Sequence, residues 1–296
     1  MYINFYLITI IIVIKIIWSF PPRTIHMECN RVIWTPNLDL YPPWLHTKIA
    51  RGCGIGVGKD YVPWIKTRDF SSNGTSGQIH SMRTERVIHT LSEYETIYFY
   101  ILERDPSVID IREQFPILNL PETIKIAFNL GYKHPSKSGK PQPITIDFLI
   151  TLETPHGIKY AARSIKTPED TEDPAVRLRL KIEEIWCSQY KIDWANVDTS
   201  SFNKEMLATL RSIRSWYRNG LTIDAEFADL FAKAFLRIYE RNVPLNHMLA
   251  FLKRKFAIDD ESEYDWFNYC VWSKRIPISI HHVSTLNDVV ILDQYE

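Results

Sequence analysis

Residues 144–152 read ITIDFLITL, nine residues that alternate with a period of two. Ile144, Ile146, Phe148, Ile150 and Leu152 fall on one face, and Thr145, Asp147, Leu149 and Thr151 on the other, which predicts a strand. Asp147 sits at its middle, where aspartate is depleted, so it marks a surface accident or a site. Working outward, residues 107–117 and 158–166 also read as strands, and in the second Ser164 and Lys166, two apart, share a face. Asp173 and Pro174 form an N-cap and N1 pair. They open a helix to about Gln189 whose buried side carries Leu178, Ile182, Ile185 and Trp186. Residues 192–197 supply one more strand. Between the first two strands, residues 119–143 contain HPSKSGKPQP, a turn-rich surface loop in which His134 is a candidate.

Upstream, Ser92 followed three residues later by Glu95 is a capping-box pattern, which predicts a helix over 92–104. At 100° per residue Leu91, Tyr98 and Leu102 form an apolar stripe, and Glu95 projects into it. A carboxylate there is costly unless paired or bound to a metal. A purely local capping role is the competing reading. The order is helix, three strands, helix, strand: an α/β core over residues 88–201.

The flanks are of different character. The chain has 296 residues, long enough for about two domains. Its 35 basic residues cancel 35 acidic ones, so any nucleic-acid surface must be local. Cys29, Cys53, Cys187 and Cys270 are too dispersed for a disulfide framework or a zinc half-site, which fits a reducing compartment. Residues 1–26 are dominated by an apolar run, MYINFYLITIIIVIKIIWSF, lacking the basic start and small-residue cleavage site of a signal peptide. Met27 is the expected first residue of the native protein; a membrane anchor is the alternative. Residues 27–87 read as an irregular arm and basic lead-in. Between His46 and His89, Lys48, Arg51, Lys59, Lys66, Arg68, Arg83 and Arg86 face only Asp60, Asp69 and Glu85, making a candidate phosphate-facing surface. RGCGIGVGKDY within it is not a phosphate loop, because Lys59 is followed by Asp60 where a hydroxyl is needed. It reads instead as a flexible arm able to approach another backbone closely.

From residue 202 onward the pattern turns helical, with helices near 203–218, 224–240 and 245–256, and ends in YCVWSKRIPISI and VVIL, which read as a small hairpin. Three helices and a hairpin describe a winged-helix-like domain over 202–296. Arg211, Arg214 and Arg218 share one helix face and could meet either DNA or a partner protein.

Glu95 on a helix with Asp147 and Lys166 on neighbouring strands is the residue set of metal-dependent phosphodiester cleavage. Carboxylates suit Mg²⁺, which keeps several waters. A lysine beside them can orient a water and stabilise negative charge.

The segments GKDYVPWI (58–65), SVIDIREQFPIL (107–118), KHP (133–135) and IDFLI (146–150), in this order, closely resemble TnsA, the endonuclease subunit of heteromeric cut-and-paste transposases. The likeness runs from about Gly52 to Asn219. It implies a restriction-endonuclease-like N-terminal domain followed by an α-rich winged-helix-like domain. The implied activity is Mg²⁺-dependent cleavage at the 5′ ends of a transposon in the bacterial cytoplasm, with Mn²⁺ as a substitute and one or two ions bound. Carried over residue by residue, the resemblance implies catalytic Glu95, Asp147 and Lys166, with Glu95, Asp147 and the Ile165 carbonyl on the metal. Ser164 departs from the pattern, which has Gln or an acid there, and is a weaker ligand. The expected DNA contacts are Lys59, Arg83 and Arg86 of the basic stretch and His134 of the surface loop. The implied partners are transposon-end DNA, a DDE transposase subunit (TnsB-like) and an AAA+ ATPase regulator (TnsC-like), with no membrane. A non-catalytic adaptor and a stand-alone nuclease of the same fold are the alternatives.

Overall fold

The structure is a computed structural model that describes residues 32–69, 76–258, 263–282 and 286–295. The apolar segment 1–26, the expected start at Met27 and Cys29 lie outside the described residues. In chain order the elements begin with a short helix α1 (His46–Ala50) and a hairpin of β1 (Gly77–His80) and β2 (Val87–Thr90). They continue with α2 (Glu93–Arg104), β3 (Val108–Pro116), α3 (Leu120–Asn129) and a two-residue pair, β4 (Ser136–Lys137) and β5 (Lys140–Pro141). β6 (Thr145–Thr154), β7 (Gly157–Ser164), α4 (Pro174–Gln189) and β8 (Asp193–Asn196) complete the α/β part. Five helices follow: α5 (Lys204–Ile213), α6 (Ser215–Arg218), α7 (Ala225–Ile238), α8 (Leu245–Phe256) and α9 (Glu263–Trp272).

The central sheet has the order β3-β6-β7-β8, antiparallel except for β7 and β8. A parallel neighbour needs a crossover, and α4 supplies it. One side of the sheet packs Phe148 and Ile150 against Ile97 and Phe99 of α2. The other packs Leu149 and Ala162 against Ile182 and Trp186 of α4. With both faces covered, β6 is buried from Ile146 to Thr151 whatever the side, so the polar face expected from alternation is inside as well. This mixed sheet flanked by helices is the α/β architecture read from the sequence. Helix α3 and the β1–β2 hairpin are not legible there. Residues 119–143 read as loop because Pro121 and the turn cluster after Gly131 conceal a ten-residue helix.

The arm is tightly packed rather than loose. Trp34 Nε1 donates to the Pro116 carbonyl (2.7 Å), Tyr61 Oη to that of Glu113 (3.0 Å) and the Trp64 N–H to that of Gln114 (3.3 Å), so the arm follows β3. Gly54 shows why the glycines are there. Its φ is +76°, and a Cβ would lie 2.4 Å from Cγ of Pro116. The close approach anticipated for this stretch is therefore onto β3 itself.

The C-terminal part is helical and shares a core with α2: Met206, Leu210, Phe231, Leu249 and Phe267 belong to the same cluster as Ile97 and Phe99. Two expectations change there. YCVW, read as strand, forms the end of α9, with Cys270 and Trp272 buried. Among the described residues, strand pairing is confined to isolated bridges, Pro244 with Val289 and Ile278 with Leu292. Arg211, Arg214 and Arg218 do not share a helix, because the chain breaks between α5 and α6 at Arg214. Arg214 Nε donates to buried Glu103 (2.7 Å) and its Nη2 to Glu103 (3.3 Å) and to the His80 carbonyl. Arg104 reaches from α2 to the carbonyls of Val271 (2.9 Å) and Trp272 (3.2 Å). Arg214 is a tether whose guanidinium is engaged inside the protein, while Arg211 and Arg218 are exposed. No helix among the described residues is long and apolar enough to cross a membrane.

Removing one partner of a buried pair strands the other charge. Arg214→Ala is expected to destabilise the chain by about 3 kcal/mol in urea unfolding. Arg218→Ala, exposed and helix-terminal, is expected to change it by no more than about 0.5 kcal/mol.

Candidate active site

Asp147 is the third residue of β6, near its start, and is 5% exposed. Its Oδ2 accepts from the Ile165 N–H (2.7 Å) and from Nζ of Lys166 (2.7 Å), which also donates to the Ile165 carbonyl (2.9 Å). Lys166 stands just beyond the end of β7. Its backbone is held there by Asn196 of β8, whose Oδ1 accepts from the Lys166 N–H (3.1 Å). Burial works to lower the Lys166 pKa, but the charge and hydrogen bond of Asp147 outweigh it, and the ammonium is held above its ordinary value.

Glu95 is equally buried. Its N–H donates to Ser92 Oγ (3.1 Å), and its Oε2 accepts from the Leu91 N–H (2.8 Å). The capping and core-facing readings therefore both apply, with the reciprocal bond displaced by one residue from Ser92 to Leu91. Burial, followed by the charge of Asp147, raises its pKa to about 8. That repulsion makes Glu95 and Asp147 one electrostatic unit.

Gln114 completes the link. The register pairs Glu113 with Phe148 and Phe115 with Ile146, so Gln114 stands opposite Asp147. Its φ is +47°, rare for a non-glycine residue, and its Nε2 donates to Glu95 Oε2 (3.3 Å). A strained residue whose amide holds a site carboxylate is a positioning element.

Ser164 is buried, and its hydroxyl donates to Oε2 of Glu183 on α4. Ser164 and Lys166 thus diverge once β7 ends, one toward α4 and the other toward Asp147. The serine is engaged by a carboxylate rather than open to an ion. Sequence reasoning missed Glu183. It lies between Ile182 and Trp186 on the core-facing side of α4, so an acid beside the buried positions was the available signal. Its pKa is raised, by burial first, against the lowering effects of Arg179 (Nε–Oε1 3.5 Å) and Ser164, while Asp147 raises it further. Oε1 of Glu183 is buried without a hydrogen bond.

The expected DNA contacts separate differently. Lys59 is exposed. Arg86 forms a two-point pair with Glu113 (2.9 and 2.6 Å), donates to the carbonyls of Gly58 (3.1 Å) and Ile111 (2.7 Å) and stacks over Tyr61. Arg83 donates to the carbonyls of Glu103 (3.0 Å) and Asp105. Both guanidinium groups are spent inside the protein, because the residues facing them are buried acids and carbonyls. His134 is half-buried between Thr123 Oγ1 (3.0 Å) and the Pro135 carbonyl (3.1 Å), and burial lowers its pKa. None of these three is a free surface contact.

No group of three or more His, Cys, Asp or Glu side chains among the described residues is arranged to hold a metal. The donor set nevertheless suits Mg²⁺, which takes one or two carboxylates and keeps its waters. Among the described residues Oδ1 of Asp147 carries no hydrogen bond, Glu95 feels its charge, and the Ile165 carbonyl stands beside them.

A helix, a mixed sheet and an acid, acid, lysine cluster near the ends of its central strands define a mixed α/β domain with a buried acidic site. Residues 105–199 match the family model of the TnsA-like endonuclease N-terminal domain. This range holds Asp147, Lys166 and Glu183, while Glu95 precedes it. The chain is also 35% identical over 171 residues to the Transposon Tn7 transposition protein TnsA of Escherichia coli, covering 57% of this chain and 62% of that protein. The chain is TnsA-like. The match spans less than two thirds of that relative's length.

An acid whose pKa is raised on folding binds more protons in the folded state, so stability falls as pH rises from about 4.5 to about 8. In chelator, the urea-unfolding free energy is expected to decline across that window by a few kcal/mol. Glu95→Gln is expected to flatten the decline. An unchanged slope in that variant would place the proton elsewhere.

Proposed function

We propose that the chain is the DNA endonuclease subunit of a heteromeric transposase, hydrolysing the phosphodiester at the 5′ ends of a transposon. The observation that carries this reading is the convergence of Glu95, Asp147 and Lys166, from three different elements, in a chain that is TnsA-like. A divalent ion held by Glu95, Asp147 and the Ile165 carbonyl would supply water activation and charge neutralisation on the phosphate. Mg²⁺ is the ion whose ligand preferences match, with Mn²⁺ as a substitute.

The chain's own residues supply the rest. Lys166, held protonated by Asp147, presents a positive charge where charge develops on the phosphate oxygens. Gln114 fixes the Glu95 carboxylate, and the Ile165 N–H fixes that of Asp147, so both acids are oriented before substrate arrives. Glu183, rather than Ser164, is the further carboxylate of the site, with the Ser164 hydroxyl locating it. Cutting at defined ends would draw on a TnsB-like DDE transposase and a TnsC-like ATPase, as the resemblance implies, because the balanced overall charge offers no strong general DNA affinity.

The test is strand-resolved cleavage of a plasmid bearing the element's ends, with Mg²⁺ and both partners. Asp147→Asn and Lys166→Ala are each expected to abolish 5′-strand cuts, by about 100-fold or more, while 3′ cuts persist. Persistent 5′ cutting by either variant would overturn the assignment, and absence of 5′ cuts with the intact chain would favour the adaptor. In the same assay Glu183→Gln is expected to lower 5′ cutting more than Ser164→Ala. Circular dichroism of each variant checks that the fold is kept.

A further inference from the structure

With Arg83, Arg86 and Arg214 engaged internally, five of the remaining cations gather in one place. A cavity of about 410 Å³ is lined by Lys48, Arg51, Lys66, Arg68 and Lys137, with Asp69 as its single acid and Trp64 among its walls. The lining comes from segments far apart in sequence: α1 and its C-cap, the 62–69 stretch, and the β4–β5 pair whose strands carry Lys137. Asp69 is already engaged, accepting the Lys66 N–H (3.2 Å) with Arg68 Nε at 3.9 Å. Among the described residues no hydrogen bond or ion pair occupies the side chains of Arg51, Lys66 or Lys137.

Lys48 shows that the cavity is built rather than incidental. Its Nζ donates to the Trp64 carbonyl (2.7 Å) and sits 4.5 Å from the centre of the Trp64 ring, half-buried. Burial pulls its pKa down against the raising effects of Cys53 and Asp69, and neighbouring Lys137 adds to the lowering, so an anion arriving here would favour the charged form. Among the described lining residues, five cations gather around a concave surface with Asp69 as the one carboxylate.

The cavity is also connected to the acid site. Its wall residue Trp64 donates its N–H to the Gln114 carbonyl (3.3 Å), and the Gln114 side chain donates to Glu95 (3.3 Å). One residue therefore stands between the cavity wall and a carboxylate of the site. Gln114 thus makes the cavity and the acid site neighbours, which suits a ligand with negative charge repeated along its length.

We propose that the cavity lined by Lys48, Arg51, Lys66, Arg68 and Lys137 is a phosphate subsite, holding a backbone phosphate of the DNA strand that enters the Glu95–Asp147–Lys166 centre. This inference rests on the nuclease reading above. It assigns DNA grip to the arm and the β4–β5 hairpin instead of to Arg83, Arg86 and His134. The recognition is of phosphate charge and is independent of base sequence.

The test uses the full chain without divalent ion, a short double-stranded oligonucleotide as probe, and salt between about 50 and 200 mM. Arg51→Gln, Lys137→Gln and the double variant are compared with the intact chain; both positions are exposed and carry no internal bond, and their thermal midpoints should match the intact chain. The double variant is expected to bind about tenfold more weakly at the lowest salt, equally for unrelated sequences. The slope of log K against log salt should shrink by about 0.9 for each phosphate that is no longer neutralised. Variants that bind with unchanged affinity and slope would overturn the subsite while leaving the nuclease reading intact. So would variants that bind DNA normally but fail to associate with a partner protein, since the cavity would then face an acidic polypeptide. An intact chain that neither binds the duplex nor, with Mg²⁺ and partners, cuts transposon ends would overturn both readings.

Discussion

The structure depends on making a buried aspartate tolerable at the centre of a sheet. A lone carboxylate in such a place would be protonated or would unfold its surroundings. Asp147 is kept by two donors from the next strand's end, the Ile165 N–H and the Lys166 ammonium, both ending on the same oxygen. That arrangement requires β7 to stop at Ser164, so that Lys166 can turn back toward β6. It also requires β8 to lie alongside, because Asn196 pins the Lys166 backbone. The crossover helix α4 is the means by which β8 arrives parallel to β7, and the same helix brings Glu183 to Ser164.

Helix α2 carries the other half of the constraint. Its first turn holds Glu95, whose burial, with the charge of Asp147 added to it, raises its pKa to about 8. Its last turn holds Glu103 and Arg104, which bind the helical C-terminal part through Arg214, Val271 and Trp272. A single helix of twelve residues thus joins the acid site to the C-terminal core. Displacing the C-terminal helices would act on Glu95 through a rigid element, with no need for a contact at the site itself.

Much of this is legible in the sequence. The alternation around Asp147, the Ser92–Glu95 cap and the Asp173–Pro174 start each reflect a local rule that tertiary packing does not override, and the elements they mark position the site. What is not legible has physical reasons. Gln114 reads as one more strand residue; only its left-handed backbone and its pairing opposite Asp147 distinguish it. Glu183 reads as an ordinary helix acid because an adjacent glutamate, Glu184, is solvated and pairs with Lys181 at 2.8 Å. The YCVW end of helix α9 reads as part of a hairpin because its aromatic residues, packed on several sides, erase the one-sided periodicity on which the distinction depends.

The arginines carry the clearest lesson about charge. Arg86 and Arg214 lie in strongly basic stretches, yet each points at a glutamate that is itself fully buried, Glu113 or Glu103. Those glutamates sit on β3 and α2, far away in sequence, so local counting of charge cannot see them. Desolvated carboxylates draw the guanidinium groups inward because leaving either partner unmatched costs several kcal/mol. The same logic applies in reverse to the cavity beside Trp64, where five cations meet only one acid. Net local charge identifies a basic region, but the distribution of buried acids decides which of its cations are left for a ligand.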